Sequence, residues 1–371
     1  MRVLLTGGAG FVGSHLAELL IADRHQVRVL DSLEGQVHGQ SEWPAYLPEG
    51  VERVHGDVRD RLVVEAALDG IEVVSHQASV VGVGQSMYEV RRYVDANALG
   101  TATLLDVLAN ERHSVRKVVV AASMSAYGEG VYRCQQCGVV RPPVREDEQM
   151  RQQDWELHCP TCDRLVEPIG VPESAAQNCT SVYAITKKVQ EELVLNVCGA
   201  YGIPAVALRY FNIYGPRQSL SNPYTGVAAI FLGRLKNGRS PLIFEDGQQT
   251  RDFVSVHDIA RANLMAMLSD RADGQSLNVG TGRPTSVAAV ASVLADTLGV
   301  RVEPEIVGRF RKGDIRHCFA DVSKIERLLG WRPEVDLAAG MAELVAWSES
   351  EAPSDRVAQA TDELTRRGLL V

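Results

Sequence analysis

The first 125 residues alternate short apolar runs with longer amphipathic stretches. The short runs are typical of buried strands, and the stretches between them carry apolar residues at helical spacing. The predicted strands are Arg2–Thr6, Gln26–Asp31, Glu52–His55, Val73–Gln77 and Lys117–Ser123. The predicted helices include Val12–Ala22, Arg59–Leu68 and Tyr93–Asn110. Strands that alternate with helices in this way predict an α/β fold with a doubly wound parallel sheet.

Residues 129–172 interrupt this alternation. The segment contains four cysteines, five prolines and many charged residues, and it shows little periodicity. Helical spacing resumes at Ser181–Cys198, and a further strand is predicted at Ala205–Arg209. The pattern beyond residue 212 is more mixed. We therefore expect a separately organised insert within a larger α/β domain, followed by a smaller lobe.

Composition and charge exclude several classes of protein. Of the 371 residues, 23% are charged and 45% hydrophobic, which is ordinary for a folded soluble protein. A net charge of −9 predicts neither nucleic acid nor a membrane surface as a partner. No apolar run reaches the roughly 18 residues of a membrane span, and the stretch after Met1 is too short for a signal peptide. We predict a cytoplasmic protein whose odd number of cysteines, seven, argues against a disulfide framework.

A glycine-rich turn joins the first predicted strand to the first predicted helix. Its glycines are Gly7, Gly10 and Gly13. Glycines at this spacing permit a tight turn and let backbone N–H groups approach a pyrophosphate at a helix N-terminus. A tight connection without a ligand would use the same residues, but the strand–turn–helix context favours a dinucleotide site.

Two acidic residues follow the next two strands. Asp31 ends the second strand, where a carboxylate accepts hydrogen bonds from ribose hydroxyls and repels a 2′-phosphate, so NAD is favoured over NADP. Asp57 follows the third strand and has two interpretations. It contacts the adenine, or it caps the helix that follows.

A second group of polar residues predicts acid/base chemistry. Tyr183 and Lys187 are four residues apart and share one face of a predicted helix. A nearby lysine cation and a positive nicotinamide ring would both favour the tyrosine phenolate. Ser123 ends the fifth strand, where ligands of open α/β sheets bind, and Ser125 is the reserve for its role. The alternative interpretation of Tyr183 and Lys187 is an exposed helix face, and that of Ser123 is a serine that caps the end of a strand.

Together these segments resemble the extended short-chain dehydrogenase/reductase family of nucleotide-sugar epimerases and dehydratases. The matching stretches extend over about residues 1–340 and comprise Gly7–Gly13, Gly56-Asp57-Val58, Asn97, Ser123…Tyr127-Gly128, Tyr183-x-x-x-Lys187, Arg209–Arg217, Arg251–Val254 and Gly330-Trp331. The resemblance implies a Rossmann fold with a smaller C-terminal substrate-binding lobe. It also implies NAD as cofactor and a nucleotide-diphosphate sugar as substrate.

The resemblance also implies roles for single residues. Tyr183 would be the acid/base, Lys187 its electrostatic partner and Ser123 the proton relay, with Ser125 touching the substrate. The implied contacts to the substrate's diphosphate and nucleoside come from Asn212, Arg217, Arg251 and Arg316. Arginine suits a diphosphate because its planar group donates paired charge-assisted hydrogen bonds. The implied cofactor contacts, besides the glycines, Asp31, Asp57, Tyr183 and Lys187, come from Phe11, Val12, Val58, Gln77 and Asn97. Asn97 is expected to be a buried polar residue that orients the active-site strands.

The residues after Ser123 distinguish two reactions that share a 4-keto intermediate. A dehydratase needs extra acid/base groups to remove the C5 proton and expel the C6 hydroxyl. The family's 4,6-dehydratases carry an Asp-Glu pair there, whereas this chain has Met124 and Ser125. The sequence therefore favours an NAD-dependent 4-epimerase. A nucleotide-sugar dehydratase or reductase remains an alternative, as does a non-catalytic NAD-binding protein whose insert binds a partner.

The cysteines of the insert have the spacing of a structural zinc site. Cys134 and Cys137 form one Cys-x-x-Cys pair, and Cys159 and Cys162 form another after 21 intervening residues. Four thiolates complete a tetrahedral zinc and leave no position open for catalysis, so we predict a zinc-ribbon-like insert. A redox pair and coincidental thiols are the alternatives. The insert lies between Gly128 and Tyr183, which suggests a wall or lid over the sugar, or an oligomer contact.

A narrower resemblance and a domain division complete the predictions. Tyr132-x-Cys134-x-x-Cys137-Gly138, Trp155-Glu156 and Cys159-Pro160-x-Cys162 resemble bacterial dTDP-L-rhamnose 4-epimerase-like proteins, which implies a dTDP-6-deoxyhexose substrate. Relatives of this kind dimerise through two helices, here Tyr93–Asn110 and Ser181–Cys198, so a homodimer is implied. The expected division is a Rossmann domain at 1–128 and 173–211, the zinc insert at 129–172, the substrate lobe mainly at 212–350, and a terminal helix or tail at 351–371.

Overall fold

The computed structural model describes residues 1–39 and 42–371. The strands are β1 Arg2–Thr6, β2 Gln26–Asp31, β3 Glu52–His55, β4 Val73–His76, β5 Lys117–Ser123, β6 Val131–Cys134, β7 Gly138–Val140, β8 Glu167–Ile169, β9 Ala205–Tyr210, β10 Asn212–Tyr214, β11 Leu242–Ile243, β12 Thr250–Ser255, β13 Gln275–Val279, β14 Pro284–Ser286, β15 Glu305–Ile306 and β16 His317–Cys318. The α-helices are α1 Phe11–Ala22, α2 Gly35–His38, α3 Arg61–Leu68, α4 Val83–Ser86, α5 Val90–Tyr93, α6 Gly100–Asn110, α7 Asp147–Arg151, α8 Val182–Ala200, α9 Val227–Lys236, α10 Val256–Leu268, α11 Val287–Leu298, α12 Ser323–Leu329, α13 Leu337–Trp347 and α14 Val357–Arg366. The helices of other types are the π-helix Val94–Leu99 and the 3-10 helices Met124–Tyr127, Asp270–Ala272 and Ser348–Ser350.

Seven parallel strands form the central sheet in the order β13-β9-β5-β4-β1-β2-β3. Two separate apolar cores cover its two faces, one against α1 and α10 and the other against α3, α6 and α8. The predicted doubly wound α/β fold is therefore confirmed. The strand order reverses direction between β1 and β4, and ligands of such sheets bind at the carboxyl ends beside this point.

Several boundaries differ from the sequence-based predictions for local physical reasons. The seventh strand, β13, had not been predicted, because it lies in the mixed region after residue 212. The predicted helix Tyr93–Asn110 contains the π-helical segment Val94–Leu99, whose wider turn holds the buried Asn97. Helix α3 begins at Arg61 rather than Arg59, because the Asp60 carboxylate caps it by accepting from two backbone N–H groups.

The smaller lobe lies at the C-terminal side of the sheet. Strands β10, β12 and β14 form its sheet, and β16 pairs with β12. Helices α9, α11 and α13 pack a third apolar core around Phe231, Leu294 and Leu344. After α14, the last residues pair with residues 310–312 through an antiparallel bridge between Arg311 and Leu370.

The insert forms a three-stranded antiparallel sheet of its own, in the order β7-β6-β8. Tyr132, Leu157 and Val166 form its small apolar core, with the four predicted metal ligands packed against them. Among the helices within residues 1–39 and 42–371, none is both long enough and apolar enough to cross a membrane.

Candidate functional site

The glycine turn after β1 has a geometry that other residues could not adopt. Gly7 has φ +68°, and a Cβ there would lie 2.8 Å from the Ala78 Cα. A Cβ on Gly13 would lie 2.4 Å from the Gly7 carbonyl oxygen. Gly10 begins α1, and no side chain of the described residues caps this end. The first N–H groups of α1, at Phe11 and Val12, are therefore suited to a phosphate.

Asp31 lies beside this turn at the carboxyl end of β2. Its carboxylate accepts hydrogen bonds from the backbone N–H groups of Ala9, at 3.0 Å, and Leu33, at 2.9 Å. These bonds fix the position of the carboxylate and leave lone pairs on both oxygens for ribose hydroxyls.

Asp57 does not cap a helix, because Asp60 has that role. Its carboxylate pairs instead with the Arg59 guanidinium at 2.6 Å, which lowers the pKa of Asp57. Val58 is buried against Gly100, where an added Cβ would lie 2.7 Å from a Val58 methyl group. The structure thus removes the capping interpretation of Asp57, while its adenine contact stays a prediction.

Gln77 directly follows β4, and Asn97 lies in the π-helix Val94–Leu99. Gln77 Nε2 donates to Asn263 Oδ1 at 3.0 Å, and the Tyr210 hydroxyl donates to Gln77 Oε1 at 3.2 Å. Asn97 is fully buried, and its Nδ2 donates to Thr186 Oγ1 at 3.0 Å and to the Val80 carbonyl at 3.1 Å. Asn97 therefore ties α8 to the loop after β4, while cofactor contacts by both side chains stay predictions.

Ser123, Tyr183 and Lys187 converge at the carboxyl edge of the sheet. Ser123 ends β5, and Ser181 caps α8 by accepting from the Ala184 N–H at 3.1 Å, which positions Tyr183 in the first turn of the helix. The Tyr183 N–H donates to Ser86 Oγ at 3.0 Å. The helical spacing then directs Lys187 to the same buried face, where it is 2% exposed.

Burial shifts both titrating groups of this site. It raises the pKa of Tyr183 to about 12, and a hydrogen bond with Ser123 opposes that shift. Burial lowers the pKa of Lys187 to about 7, because no solvent stabilises its charged form. Ser125 Oγ lies 2.9 Å from Ser123 Oγ, so the two hydroxyls form a continuous polar edge. The arrangement can remove a proton from a hydroxyl group and return it.

Sequence reasoning missed His76, which lies behind Lys187 at the end of β4. Its ring is fully buried between Thr6 Oγ1, at 2.7 Å, and Thr101 Oγ1, at 2.8 Å. Burial, assisted by the Lys187 charge, lowers the pKa of His76 to about 3. A neutral ring therefore supports the site. Its position at a strand end was the only available signal.

Asn212 and Arg217 carry polar atoms suited to a ligand. Among the described residues, the buried Asn212 Oδ1 and one terminal nitrogen of Arg217 have no hydrogen-bond partner. The Arg217 guanidinium also pairs with Glu18 at 2.7 Å and lies 5.1 Å from the Tyr46 ring centre. Arg217 borders a cavity of about 930 Å³ between α2, the loop at 218–224 and the C-terminal segment.

Arg251 belongs to a cluster of two arginines that share one carboxylate. Asp314 lies 3.3 Å from Arg251 and 3.1 Å from Arg311. The Arg311 side chain is 45% exposed, and its guanidinium lies 5.1 Å from the Phe244 ring centre. Sequence reasoning missed Arg311. The Gly313-Asp314 turn between two pairs of basic residues marks this segment, but it does not distinguish Arg311 from Arg316.

Arg316 is placed differently from the other predicted arginines. It is fully buried, and its five N–H donors are directed at three carboxylates, those of Glu156, Glu245 and Asp246. The structure therefore does not bring the Arg316 side chain to an open surface. Its predicted diphosphate contact would require at least one of these carboxylates to move away.

The four cysteines of the insert meet in space. Their sulfur atoms all lie within 4.8 Å of one another, and Cys134 Sγ is 3.5 Å from Cys162 Sγ. A disulfide would need about 2.05 Å. A tetrahedron with zinc–sulfur bonds of about 2.3 Å places its sulfurs about 3.8 Å apart. The residues Cys134, Cys137, Cys159 and Cys162 therefore fit a tetrahedral metal ion.

Comparisons with known proteins find relatives that match nearly the whole chain. The chain is 35% identical over 353 residues to a dTDP-L-rhamnose 4-epimerase of Burkholderia thailandensis, covering 94% of this chain and 95% of that protein. The solved structure of a UDP-glucose 4-epimerase of Thermotoga maritima, in complex with UDP-glucose, matches with a TM-score of 0.76 at 30% identity, covering 94% of this chain and 99% of that one. A Thermus thermophilus UDP-glucose 4-epimerase in complex with NAD matches with a TM-score of 0.74 at 29% identity, covering 95% and 100%.

The sequence model of one family matches the chain in two segments. It is described as the NAD dependent epimerase/dehydratase family, and it matches residues 3–144 and 166–280. The unmatched interval, 145–165, lies inside the insert. The glycine turn, the serine, tyrosine and lysine at the sheet edge, and this match over most of the chain lead to one assignment: the protein belongs to the NAD dependent epimerase/dehydratase family.

Proposed function

We propose that this protein is an NAD-dependent nucleotide-sugar 4-epimerase. The observation that carries the proposal is the convergence of Ser123, Tyr183 and Lys187 beside the glycine turn. NAD, when bound, accepts hydride from the sugar C4 and returns it. The relatives named above as 4-epimerases support this choice of reaction.

The chain's own residues supply the proton transfers and the charge. Tyr183 removes the proton from the C4 hydroxyl, and Ser123 holds that oxygen through a hydrogen bond. The Lys187 ammonium favours the Tyr183 phenolate by electrostatic attraction, and its pKa of about 7 keeps a substantial protonated fraction near neutral pH. The 4-keto sugar then rotates in the pocket and presents its opposite face. Tyr183 returns the proton to the C4 oxygen, and the product has the inverted configuration at C4.

The residues after Ser123 support epimerisation over dehydration. Met124 is largely buried and has no ionisable group, and the Ser125 hydroxyl bonds to Ser123. Neither can remove the C5 proton as a general base at neutral pH. The intact serine, tyrosine and lysine set likewise gives no support to a non-catalytic NAD-binding protein.

We assign the substrate's diphosphate to the arginines beside Asp314. Arg251 and Arg311 flank that carboxylate, and Arg311 is exposed enough to reach a ligand. The unpartnered Asn212 Oδ1 and Arg217 nitrogen supply further polar contacts. The Burkholderia relative's name favours a dTDP-6-deoxyhexose such as dTDP-L-rhamnose. The names of the Thermotoga and Thermus relatives make UDP-glucose the second candidate.

A substrate panel tests this function. We expect NMR to show inversion at C4 when the NAD-loaded protein is incubated with dTDP-L-rhamnose, UDP-glucose and GDP- and CDP-sugars in turn. Tyr183→Phe should reduce turnover by about a thousandfold or more and leave NAD affinity unchanged. Stoichiometric NADH consumption would indicate a reductase instead, and full activity of Tyr183→Phe would refute the mechanism.

We further propose that the insert binds one structural zinc and that the protein is a cytoplasmic homodimer. None of the seven cysteines, all of which the structure describes, is joined to another in a disulfide, which suits a reducing compartment. Val90, Val94, Leu99 and Ile185 are each 42–52% exposed, on or beside the two helical segments expected to pair. Leu99→Glu should lower the mass measured by light scattering to that of a monomer. An unchanged mass would argue against this interface.

A further inference from the structure

The insert and the substrate lobe are joined by buried charges. The Glu129 carboxylate, 3% exposed, accepts hydrogen bonds from the backbone N–H groups of Arg316, at 2.8 Å, and His317, at 3.1 Å. Arg145 forms a buried ion pair with Glu245 at 2.8 Å. Removing one partner of such a pair leaves an uncompensated charge, so these contacts hold the two parts in a fixed relation.

Glu156 is the carboxylate that links the metal-binding part of the insert to this junction. Its Oε1 accepts from Arg316 Nε at 3.1 Å, and its Oε2 lies 3.2 Å from His317 Nε2. The next residue, Leu157, packs in the small core against Cys134 and Cys159. The placement of Glu156 therefore depends on the core that the metal would complete.

The other side of the junction leads to Arg251. The Thr250 N–H donates to His317 Nδ1 at 3.1 Å, so the His317 ring bridges Glu156 and strand β12. One Arg251 nitrogen donates to the Arg316 carbonyl at 2.9 Å, and the other donates to the Ile315 carbonyl at 2.7 Å. The orientation of the Arg251 guanidinium thus depends on the backbone at residues 315 and 316, and Glu156 binds the side chain of Arg316.

We propose that Glu156 is a positioning residue through which the metal-ordered insert sets the diphosphate-binding arginines. The proposal rests on the proposed epimerase function and extends it. It gives the insert a role in substrate affinity rather than in proton transfer, because the Glu156 carboxylate pairs with Arg316 and His317, and neither is part of the acid/base set. The insert acts through Glu156 on Arg251, and Arg251 acts on the substrate.

The test compares Glu156→Ala with Glu167→Gln in the full-length NAD-loaded protein. Glu167 is an exposed residue of β8 in the same insert, so its change controls for altered charge. We expect Glu156→Ala to keep its zinc and weaken the binding of dTDP and UDP, measured by calorimetry, by about tenfold. The KM for the sugar nucleotide should rise by about the same factor, with kcat within about twofold. Glu156→Gln, which keeps a hydrogen-bond acceptor, should give an intermediate value, and Glu167→Gln should match the wild type.

Removing the zinc with a chelator completes the cycle. Chelation should weaken dTDP binding to the wild type about tenfold and leave the binding of Glu156→Ala almost unchanged, because both changes break the same link. The proposal would be overturned if chelation weakened dTDP binding equally in the wild type and in Glu156→Ala. It would also be overturned if Glu156→Ala bound dTDP and UDP as tightly as the wild type. If the wild type bound neither nucleotide and epimerised no sugar, the proposed function itself would fail, which is a distinguishable result.

Discussion

The glycine turn and the cysteine insert are stabilised in different ways. The turn lies within residues 7–13, where a Cβ on Gly13 would lie 2.4 Å from the Gly7 carbonyl oxygen, and Gly7 itself packs closely against the Ala78 backbone after β4. The apolar core around the cysteines of the insert is small, with Tyr132, Leu157 and Val166 as its buried members, and the insert is joined to distant residues by ion pairs. The glycine turn is thus shaped mostly by its own backbone, a local effect, whereas the arginines assigned to the substrate are positioned by long-range contacts.

Gly13→Ala is expected to have the largest effect, because it acts on the local side of this comparison. The added Cβ would lie 2.4 Å from the Gly7 carbonyl oxygen, so the turn must open. We expect NAD affinity, measured by calorimetry, to fall by about a hundredfold. Gly199→Ala is the matched control in α8, where an added Cβ meets nothing within 4 Å. It should keep NAD affinity and stabilise the protein by ~0.5–1 kcal/mol. Equal NAD affinity in the two variants would contradict the steric account.

Cys159→Ser tests the long-range side. Loss of one thiolate should abolish zinc binding, expose residues 129–172 to proteolysis and raise the KM for the sugar nucleotide about tenfold. NAD affinity should remain that of the wild type, because the glycine turn does not touch the insert. The control is Cys179→Ser, a half-buried thiol outside the cluster. A parallel loss of NAD affinity in Cys159→Ser would show that the two regions are not separable.

Lys187→Met should reveal the stability cost of the acid/base site. The pKa of Lys187 is about 7 in the folded chain and about 10.4 when unfolded, so the unfolded chain binds one more proton between these values. The wild-type free energy of unfolding should therefore rise with pH in this window, by up to about 1.4 kcal/mol per unit relative to the variant. Urea unfolding at pH 7, 8 and 9 measures this difference. Identical slopes in both proteins would mean that Lys187 is not desolvated.

The smallest effect is expected from separating Asp57 and Asp60. Asp60→Ala removes the cap of α3 and should cost ~1 kcal/mol of stability without changing NAD affinity. Asp57→Ala should leave the helix intact and weaken NAD binding by a few-fold, if that carboxylate contacts the adenosine. Thermal unfolding and NAD titrations measure both effects. A loss of stability in Asp57→Ala, with unchanged stability in Asp60→Ala, would restore the interpretation of Asp57 as the helix cap.

The strands of the Rossmann domain could be predicted because buried parallel strands are continuous apolar runs between glycine or polar breaks. β13 could not, because its sequence contains Gln275, Ser276 and Asn278 and is therefore not a continuous apolar run. Tyr183 and Lys187 were identifiable because their four-residue spacing has a direct geometric meaning on a helix. Nothing comparable distinguished Arg311 from Arg316, two arginines five residues apart with opposite exposure.

The sequence by itself determined the fold class and the glycine turn, and it singled out the candidate acid/base residues and the four clustered cysteines. Each of these features depends on contacts between near neighbours or on a fixed spacing. Only the tertiary structure decided that Asp60 caps α3, that Asn97 joins α8 to the loop after β4, and that Arg316 is buried among three carboxylates while Arg311 is exposed. The physical reason is that the role of a charged side chain depends on its solvation and its partners. Those are set by residues that the chain brings together only when it folds.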